Sequence, residues 1–277
     1  MGNMSAIHQD ISSAGMAAAI EANWIGGAEL WSRAPITESH DDDPDLRWYT
    51  TPGVPFPPFN RVYWTRLPQE GIDARIEEVR QHFAAHQVPF LWLVGPFSRP
   101  SDLGRHLESC GLARVYEMPG MAVDLQALNE DVPFPAKLEI ERVSDTDMLR
   151  EYIEAARIGF EMPEFTSEGF FELYTAVGLT EESPGRYYVG RLGGEVVATA
   201  TLALVGGVAG VYNAATLPKA RRQGLGAAMT LRVLREAREL GYRIGILLSS
   251  ALGFNVYRRV GFEQYSTYSM YVGSGQE

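Results

Sequence analysis

A cationic loop with two glycines carries the clearest chemical signal in the 277-residue sequence. Residues 219–226 read KARRQGLG, between an apolar stretch of strand character and an amphipathic stretch of helical character. The first turn of a helix has unbonded amides and the positive end of the helix dipole, and glycines let a ligand approach that backbone closely. Lys219, Arg221 and Arg222 add three cations where an anion would bind. The loop therefore predicts a phosphate-binding site, and the alternative is a basic helix start whose glycines only form a turn.

Two other phosphate-binding motifs do not fit this loop. No Gly-Lys-Ser or Gly-Lys-Thr follows it, as a P-loop requires. The third glycine of the dinucleotide-binding fingerprint is also absent, and the preceding strand comes late in its domain, after a hairpin. The loop is therefore neither a P-loop nor a dinucleotide-binding fingerprint.

A second segment downstream gives the loop a family context. Residues 221–226 read RRQGLG and residues 250–262 read SALGFNVYRRVGF. The first fits the R/Q-x-x-G-x-G/A pattern of the GNAT superfamily of acyl-CoA-dependent N-acyltransferases, and the second resembles that family's closing N-x-x-A-x-x-x-Y-x-x-x-G-F segment. With both segments at the right distance, residues 137–272 resemble a GNAT domain.

The resemblance implies acetyl-CoA as the co-substrate. Its pyrophosphate would bind the loop amides, and its pantetheine arm and acetyl carbonyl would meet backbone groups at the end of the preceding strand. Ser250 stands where many members have Asn, and its shorter side chain reaches less far. The implied cofactor-binding residues are Ala215, Thr216, Leu217, Arg221, Arg222, Gln223, Gly224, Leu225, Gly226, Ala227 and Ser250.

Tyr257 occupies the family's general-acid position. By the resemblance, its hydroxyl protonates the departing CoA thiolate after direct transfer of the acetyl group to an amine. The alternative role for Tyr257 is packing between a helix and a strand. The general base stays open, because the strand at 208–217 carries Asn213 and no glutamate; Glu161, Glu164 and a water chain are candidates.

The surrounding elements predict a mixed α/β fold with two similar halves. Each half ends with an apolar strand, a short helix, a glycine and a further strand, and Gly111 and Gly261 lie 150 residues apart. We therefore expect a degenerate GNAT-like unit at 1–128, a linker at 129–136 and a catalytic domain at 137–277. The first half has Leu107 at the Tyr257 position and no glycine loop, so we expect no second active centre there.

The composition of the chain limits the classes of partner that it is expected to bind. The 24 basic and 35 acidic residues give a net charge of −11, which disfavours nucleic acid and anionic membranes and weakly favours a cationic amine as the acceptor. The single Cys110 suits a reducing compartment.

The uncharged stretch at 196–218 is broken by Gly206-Gly207, which predicts a hairpin rather than a membrane span. We expect a cytoplasmic monomer or homodimer without a membrane partner.

Two histidines have a spacing that suits metal binding. His82 and His86 are four residues apart, on one face of a predicted helix at 72–86. The sequence shows neither an H-E-x-x-H pattern nor an evident third ligand, so we expect no metal.

Taken together, these features predict an N-acetyltransferase that moves an acetyl group from acetyl-CoA directly to a small-molecule amine. The first alternative is a non-catalytic acyl-CoA-binding or regulatory protein that has kept the fold and lost turnover, which the missing strand glutamate favours and Tyr257 opposes. The second alternative is transfer of a larger acyl group.

Overall fold

Helices and strands alternate along most of residues 6–275, which a computed structural model of the chain describes. The helices are α1 (Ser13–Ser32), α2 (Ile72–Ala85), α3 (Leu103–Ser109), α4 (Thr146–Gly159), α5 (Thr166–Val177), α6 (Leu225–Glu239) and α7 (Phe254–Val260). The strands are β1 (Glu38–His40), β2 (Leu46–Thr50), β3 (Arg61–Thr65), β4 (Phe90–Val94), β5 (Ala113–Asp124), β6 (Leu138–Arg142), β7 (Gly185–Leu192), β8 (Glu195–Val205), β9 (Val208–Thr216), β10 (Ile244–Leu248) and β11 (Glu263–Gly273).

Contacts between residues divide the chain into two compact units that interleave along the sequence. The first unit contains the described residues up to Gly27 together with Pro119–Tyr265. The second unit contains Ala28–Met118 together with the described residues from Ser266 onward. The division of the sequence into two related halves at 129–136 stays a prediction, because it concerns common origin rather than contact.

The first unit is built on the strand order β5-β10-β9-β8-β7-β6. Strands β6 to β9 form an antiparallel meander, β10 runs parallel to β9, and β5 is antiparallel to β10. Positive φ at both residues of Gly193-Gly194 and of Gly206-Gly207 makes the two tight turns of the meander. The hairpin turn predicted at Gly206-Gly207 is therefore present, since paired positive φ values match the twist of the flanking strands.

Helix α6 packs on this sheet through one apolar face. Leu225, Met229, Val233 and Leu234 are buried in the same cluster as Leu202 of β8. Burying side chains of this size stabilises the unit by about 1.5–3 kcal/mol each. The start of α6, which carries the glycine loop, is thus held firmly against the strands.

The second unit has the strand order β1-β2-β3-β4-β11. Strand β3 is parallel to β4, and the other neighbours are antiparallel. Helix α2 covers the sheet with Ile76, Val79 and Phe83, all buried. Phe83 stacks on Phe90 of β4 with ring centroids 4.3 Å apart. The apolar periodicity that predicts this helix also identifies its buried face.

Asn23 of α1 attaches that helix to the β8–β9 hairpin of the first unit. Its Nδ2 donates to the carbonyls of Ala203, Val205 and Val208 at 3.1, 3.0 and 2.8 Å. Its Oδ1 accepts from the Tyr212 hydroxyl at 2.8 Å. Asn23 is fully buried, so its amide supplies partners to strand groups that water does not reach.

Local hydrogen bonds define the starts of two helices. Asp145 caps α4, because its carboxylate accepts from the Met148 amide at 2.9 Å. Helix α1 begins at Ser13, after a segment in which the His8 amide bonds the Gly207 carbonyl at 3.0 Å. The short strand β1 was not predicted from the sequence.

A proline precedes the start of helix α3. The helix begins at Leu103, after Pro100, and the residue before a proline is disfavoured in helical conformation. Among residues 6–275, no helix is long and apolar enough to cross a membrane.

Candidate functional site

Strands β9 and β10 part shortly after they meet. Parallel pairing joins Ala209 to Gly245 and Gly210 to Ile246, whereas β9 continues to Thr216. On its other side β9 stays paired with β8 as far as Thr216. Within the described residues, the final backbone groups of β9 that face away from β8 therefore have no strand partner. They form one wall of a candidate cleft between β9 and β10, and β9 leads directly into the glycine loop.

A bulge in β9 marks the start of this wall. Thr199 pairs with Ala215 and Thr201 pairs with Tyr212, so two residues of β9 oppose one of β8. Asn213 lies in the bulge with φ of 47°, and its carbonyl accepts from the Thr199 hydroxyl at 2.8 Å. The bulge bends the end of β9 and alters which groups reach the cleft.

The end of β9 provides the predicted backbone groups only in part. The Leu217 amide donates to the Val197 carbonyl of β8 at 2.9 Å. Alternation along an antiparallel pair then places the Thr216 amide on the opposite edge, toward the cleft. The Thr216 carbonyl accepts from Arg221 Nε at 3.2 Å. Of these groups, the Thr216 amide is the one left for a ligand.

Arg221 links three segments instead of pointing outward as a free cation. Besides Thr216, its guanidinium donates from Nη2 to the Gly159 carbonyl at the end of α4, at 3.1 Å. Gly159 lies so near β9 that a Cβ there would be 2.7 Å from the Ala215 Cβ. The side chain of Arg221 thus fixes α4 and the loop to the end of β9.

The loop ends in two left-handed residues before α6. Arg222 has φ of 63° and Gly224 has φ of 83°, and the Ala228 amide makes the first bond of the helix, to the Gly224 carbonyl at 3.1 Å. The amides of residues 225–227 precede that bond and have no intrahelical acceptor. Unbonded amides of this kind can hold an anion, and the binding of a phosphate by the region between Arg222 and Ala227, including Gln223 and Leu225, stays a prediction.

Two further cations of the loop differ in their pairing. Lys219 forms an ion pair with Glu195. Arg222 is exposed, and no described carboxylate forms an ion pair with it. The three cations of the loop therefore differ: Arg221 bonds carbonyls, Lys219 has a carboxylate, and Arg222 is available to an anion.

The closing segment lies against the loop. A Cβ on Gly226 would meet Val256 Cγ1 of α7 at 3.9 Å, so the first turn of α6 is beside the residue preceding Tyr257. The Tyr257 ring packs over Gly253, where a Cβ would be 2.6 Å from the ring, and contacts Phe262 edge-on at 6.0 Å between centroids. The fold thus brings the predicted acid to the predicted phosphate loop.

The surroundings of Tyr257 keep its hydroxyl protonated. Burial raises its pKa to about 12, because desolvation disfavours the phenolate. No described residue makes a hydrogen bond to this hydroxyl. Tyr257 can therefore donate a hydrogen bond or a proton across the whole neutral range, while its ring also fills the packing role that was the alternative.

Ser250 has a local structural role at the start of α7. Its Oγ accepts from the Gly253 amide at 3.2 Å, and its carbonyl accepts from the Phe254 amide at 3.1 Å. These bonds shape the turn before the helix. The Ser250 hydroxyl proton is still available to a ligand.

The candidate bases lie outside the cleft wall. Glu161 and Glu164 are both exposed, in the turn between α4 and α5. Asn213 turns toward α5, where its Nδ2 donates to the Tyr174 hydroxyl at 2.9 Å. Among the described residues, no carboxylate lies on β9, which matches the absence noted in the sequence.

Sequence reasoning missed a buried cluster of tyrosines below the bulge. Tyr152 of α4, Tyr174 of α5 and Tyr187 of β7 contact one another, with centroids 4.7–5.9 Å apart. The Tyr152 and Thr201 hydroxyls are 2.6 Å apart, and burial raises the pKa of Tyr152 to about 12. Helical and strand periodicity mark all three as core residues, so no local signal reveals their contact.

Comparison with known families decides what this arrangement is. Residues 146–262 match the model of the acetyltransferase (GNAT) family. This segment is a GNAT domain. Every predicted site residue of this GNAT domain, from Ala215 to Tyr257, lies inside the matched range, and members of the family use acetyl-CoA. A search of curated proteins found no match.

The solved structures that resemble this chain cover both of its halves. A GCN5-related N-acetyltransferase from Kribbella flavida has 25% identity and a TM-score of 0.68, over 91% of this chain and 95% of that one. A tandem GNAT protein from the clavulanic acid biosynthesis pathway has 13% identity and a TM-score of 0.60, over 98% of both chains. A GCN5-related N-acetyltransferase from Sphaerobacter thermophilus has 16% identity and a TM-score of 0.65, over 96% of this chain and 94% of that one. The chain thus has the tandem GNAT fold.

Proposed function

We propose that the protein is an N-acetyltransferase that transfers acetyl directly from acetyl-CoA to the amine of a small molecule. One observation carries the proposal: the separation of β9 from β10 leads to the unbonded amides at the start of α6. An elongated ligand with a thioester at one end and a pyrophosphate at the other fits that sequence of groups.

The cofactor would lie along the end of β9 and over the loop. The pyrophosphate would accept from amides between Arg222 and Ala227, with the Arg222 guanidinium beside it. Gly224 and Gly226 allow this approach because they have no Cβ. The Thr216 amide would donate to the acetyl carbonyl, between Ala215 and Leu217. As the amine attacks, charge grows on that carbonyl oxygen, so this hydrogen bond would strengthen in the transition state.

The chemistry would proceed through a single tetrahedral species. The neutral amine nitrogen bonds to the thioester carbon, the carbon–sulfur bond breaks, and the electron pair leaves on sulfur. Tyr257 donates its hydroxyl proton to this thiolate. The proton lost by the amine passes to water or to one of the exposed carboxylates, Glu161 or Glu164, and solvent exchange restores Tyr257.

The first half of the chain would catalyse no reaction. We propose that 137–277 is the catalytic domain and 1–128 a degenerate copy, with Leu107 where the acid would be. The net charge of −11 favours a cationic amine as acceptor. The single cysteine favours a cytoplasmic location, and a monomer or a homodimer accommodates one active centre in each chain.

The test measures release of free thiol from acetyl-CoA over a panel of amines. We expect turnover with at least one cationic amine, and a fall in kcat of about 100-fold or more in Tyr257→Phe, as for loss of a general acid. Tyr265→Phe is the matched control, because Tyr265 is a partly exposed tyrosine of the same unit outside the cleft.

A second function, acyl-CoA binding without turnover, is favoured by the lack of a carboxylate on β9. A rise in melting temperature with acetyl-CoA but no thiol release on any amine would support it. If acetyl-CoA changes neither the melting temperature nor the thiol signal, the assignment of the phosphate loop is wrong.

A further inference from the structure

Four potential metal ligands meet in the second unit, far in sequence from the GNAT motifs. Glu38 and His40 are two residues apart on β1, so both side chains lie on the same face of that strand. His82 and His86 are four residues apart at the end of α2, so they share one face of the helix. Strand β1 brings to the histidine pair the third ligand that the sequence did not reveal.

The ligand atoms are close enough to share one ion. One ligand atom from each of Glu38, His40 and His82 lies within 4.8 Å of the other two. The His86 Nε2 lies 3.5 Å from a Glu38 oxygen, and the His82 ring is 4.5 Å from those of both His40 and His86, centroid to centroid. Tetrahedral zinc needs ligands about 3.3–3.5 Å apart at bond lengths near 2.1 Å. Side-chain rotations that move atoms by about 1 Å would provide this.

One buried ring nitrogen in the cluster lacks a hydrogen-bond partner among the described residues. The His40 Nε2 is buried, and no described residue makes a hydrogen bond to it. Buried polar atoms in folded proteins almost always have a partner. Trp48 stacks on His40 at 4.8 Å with the rings nearly parallel, and holds the imidazole in place. A metal ion in the cluster would supply the missing partner.

The His86 ring points a lone pair at a carboxylate. Its Nδ1 lies 2.9 Å from the His82 carbonyl, which only accepts hydrogen bonds, so Nδ1 carries the proton. In the neutral ring Nε2 then has a lone pair that faces the Glu38 oxygen at 3.5 Å. This contact is attractive when a positive charge is present there, either a proton on Nε2 or a metal ion. An Nδ1–H bond to a backbone carbonyl is also the usual way in which a metal-binding histidine is oriented.

A neighbouring hydroxyl orients the His82 ring. The Thr50 hydroxyl, which is buried, shares a hydrogen bond with His82 Nε2 at 2.8 Å. Hydrogen bonds of this kind orient the rings of metal-binding histidines.

We propose that Glu38, His40, His82 and His86 bind one divalent transition-metal ion. Three imidazoles and a carboxylate suit Zn²⁺ and its neighbours in the first transition row rather than Mg²⁺ or Ca²⁺, which prefer oxygen ligands. The ion would cross-link the short edge strand β1 to the end of α2. With four protein ligands the site is closed, so its role is structural.

The experiment uses the full chain without an affinity tag, stripped of metal by a chelator and titrated with ZnCl₂ by calorimetry. We expect one Zn²⁺ per chain, retained through gel filtration, and a rise in melting temperature. Co²⁺ at the same site should give the visible absorption of a four-coordinate ion. In His82→Gln we expect at least about 100-fold weaker zinc binding and no rise in melting temperature.

Two further variants keep the proposal falsifiable. Glu38→Gln changes a half-exposed side chain, so it preserves the fold if His82→Gln does not, and it should also weaken zinc binding. His106→Gln is the matched control, because His106 bonds Asp73 at 2.6 Å within the same unit and away from the cluster. The proposal is overturned if the wild-type chain retains no zinc, or if Glu38→Gln binds it as tightly as His106→Gln does.

Discussion

Replacement of Asn23 by alanine should destabilise the first unit strongly, although Asn23 touches none of the proposed cofactor groups. The amide has two N–H groups, which serve the carbonyls of Ala203, Val205 and Val208, and an oxygen that accepts from Tyr212. Two donated bonds and one accepted bond, at about 1 kcal/mol each, give about 3 kcal/mol.

The site offers water little room to replace the lost amide. Asn23 has no exposed surface, and a Cβ on Gly210 would lie 2.1 Å from its Oδ1. Stranded carbonyls and the vacated volume raise the expected loss to about 3–4 kcal/mol. For a unit of this size, each kcal/mol lowers the melting temperature by about 2–4 °C, so we expect a fall of about 10 °C.

Thermal melting followed by circular dichroism measures this effect. The matched control is Asn255→Ala, an exposed asparagine on α7, for which we expect no change. Asn23→Asp should be at least as harmful as the alanine variant, because it keeps the size and replaces the NH₂ group, with both its donors, by one oxygen that faces carbonyls. A fall of less than about 2 °C in Asn23→Ala would refute the reasoning, since it would mean that the hydrogen bonds of Asn23 contribute almost nothing.

Three more predictions concern the proposed site. In Gly224→Ala, a side chain is placed on a residue with φ of 83°, and its Cβ would lie 3.3 Å from the Pro133 carbonyl. We expect the free energy of unfolding to fall by about 1–2 kcal/mol and KM for acetyl-CoA to rise. An unchanged melting temperature would contradict this. Arg222→Ala should raise KM for acetyl-CoA and weaken its salt dependence, whereas Arg221→Ala should mainly lower the melting temperature; equal effects in both assays would argue against these separate roles. Burial raises the pKa of Tyr257 to about 12, so its proton is present at all lower pH values. We therefore expect no fall in kcat between pH 8 and about 10 through loss of this proton. A fall in this range that Tyr257→Phe abolishes would contradict the assignment of Tyr257 as the general acid.

Local features of the sequence predicted most of the first unit. The Gly206-Gly207 pair predicted a hairpin turn, because two successive positive φ values are accessible to glycine at little cost. The glycine loop and the apolar period after it predicted the start of helix α6. These predictions depend on residues within one turn or one strand of each other, where spacing alone decides the geometry.

Contacts between distant segments could not be predicted in this way. Three cations in four residues suggested one anion site, but Arg221 bonds a carbonyl at the end of α4, 62 residues earlier. His82 and His86 showed half of a ligand set, and the other half lies on a three-residue strand too short to have a recognisable period. Pairing over long loops leaves no pattern in either segment alone.

The interleaving of the two units has a consequence for synthesis of the chain. Strand β4 pairs with β11 through residues 269–273, which leave the ribosome after the whole of the first unit. Until then, the edge of β4 that receives β11 has only solvent or another chain to pair with, and such edges promote aggregation. A nascent chain of this protein must therefore hold an open sheet edge through translation of more than 150 residues, a period in which chaperone binding would matter most.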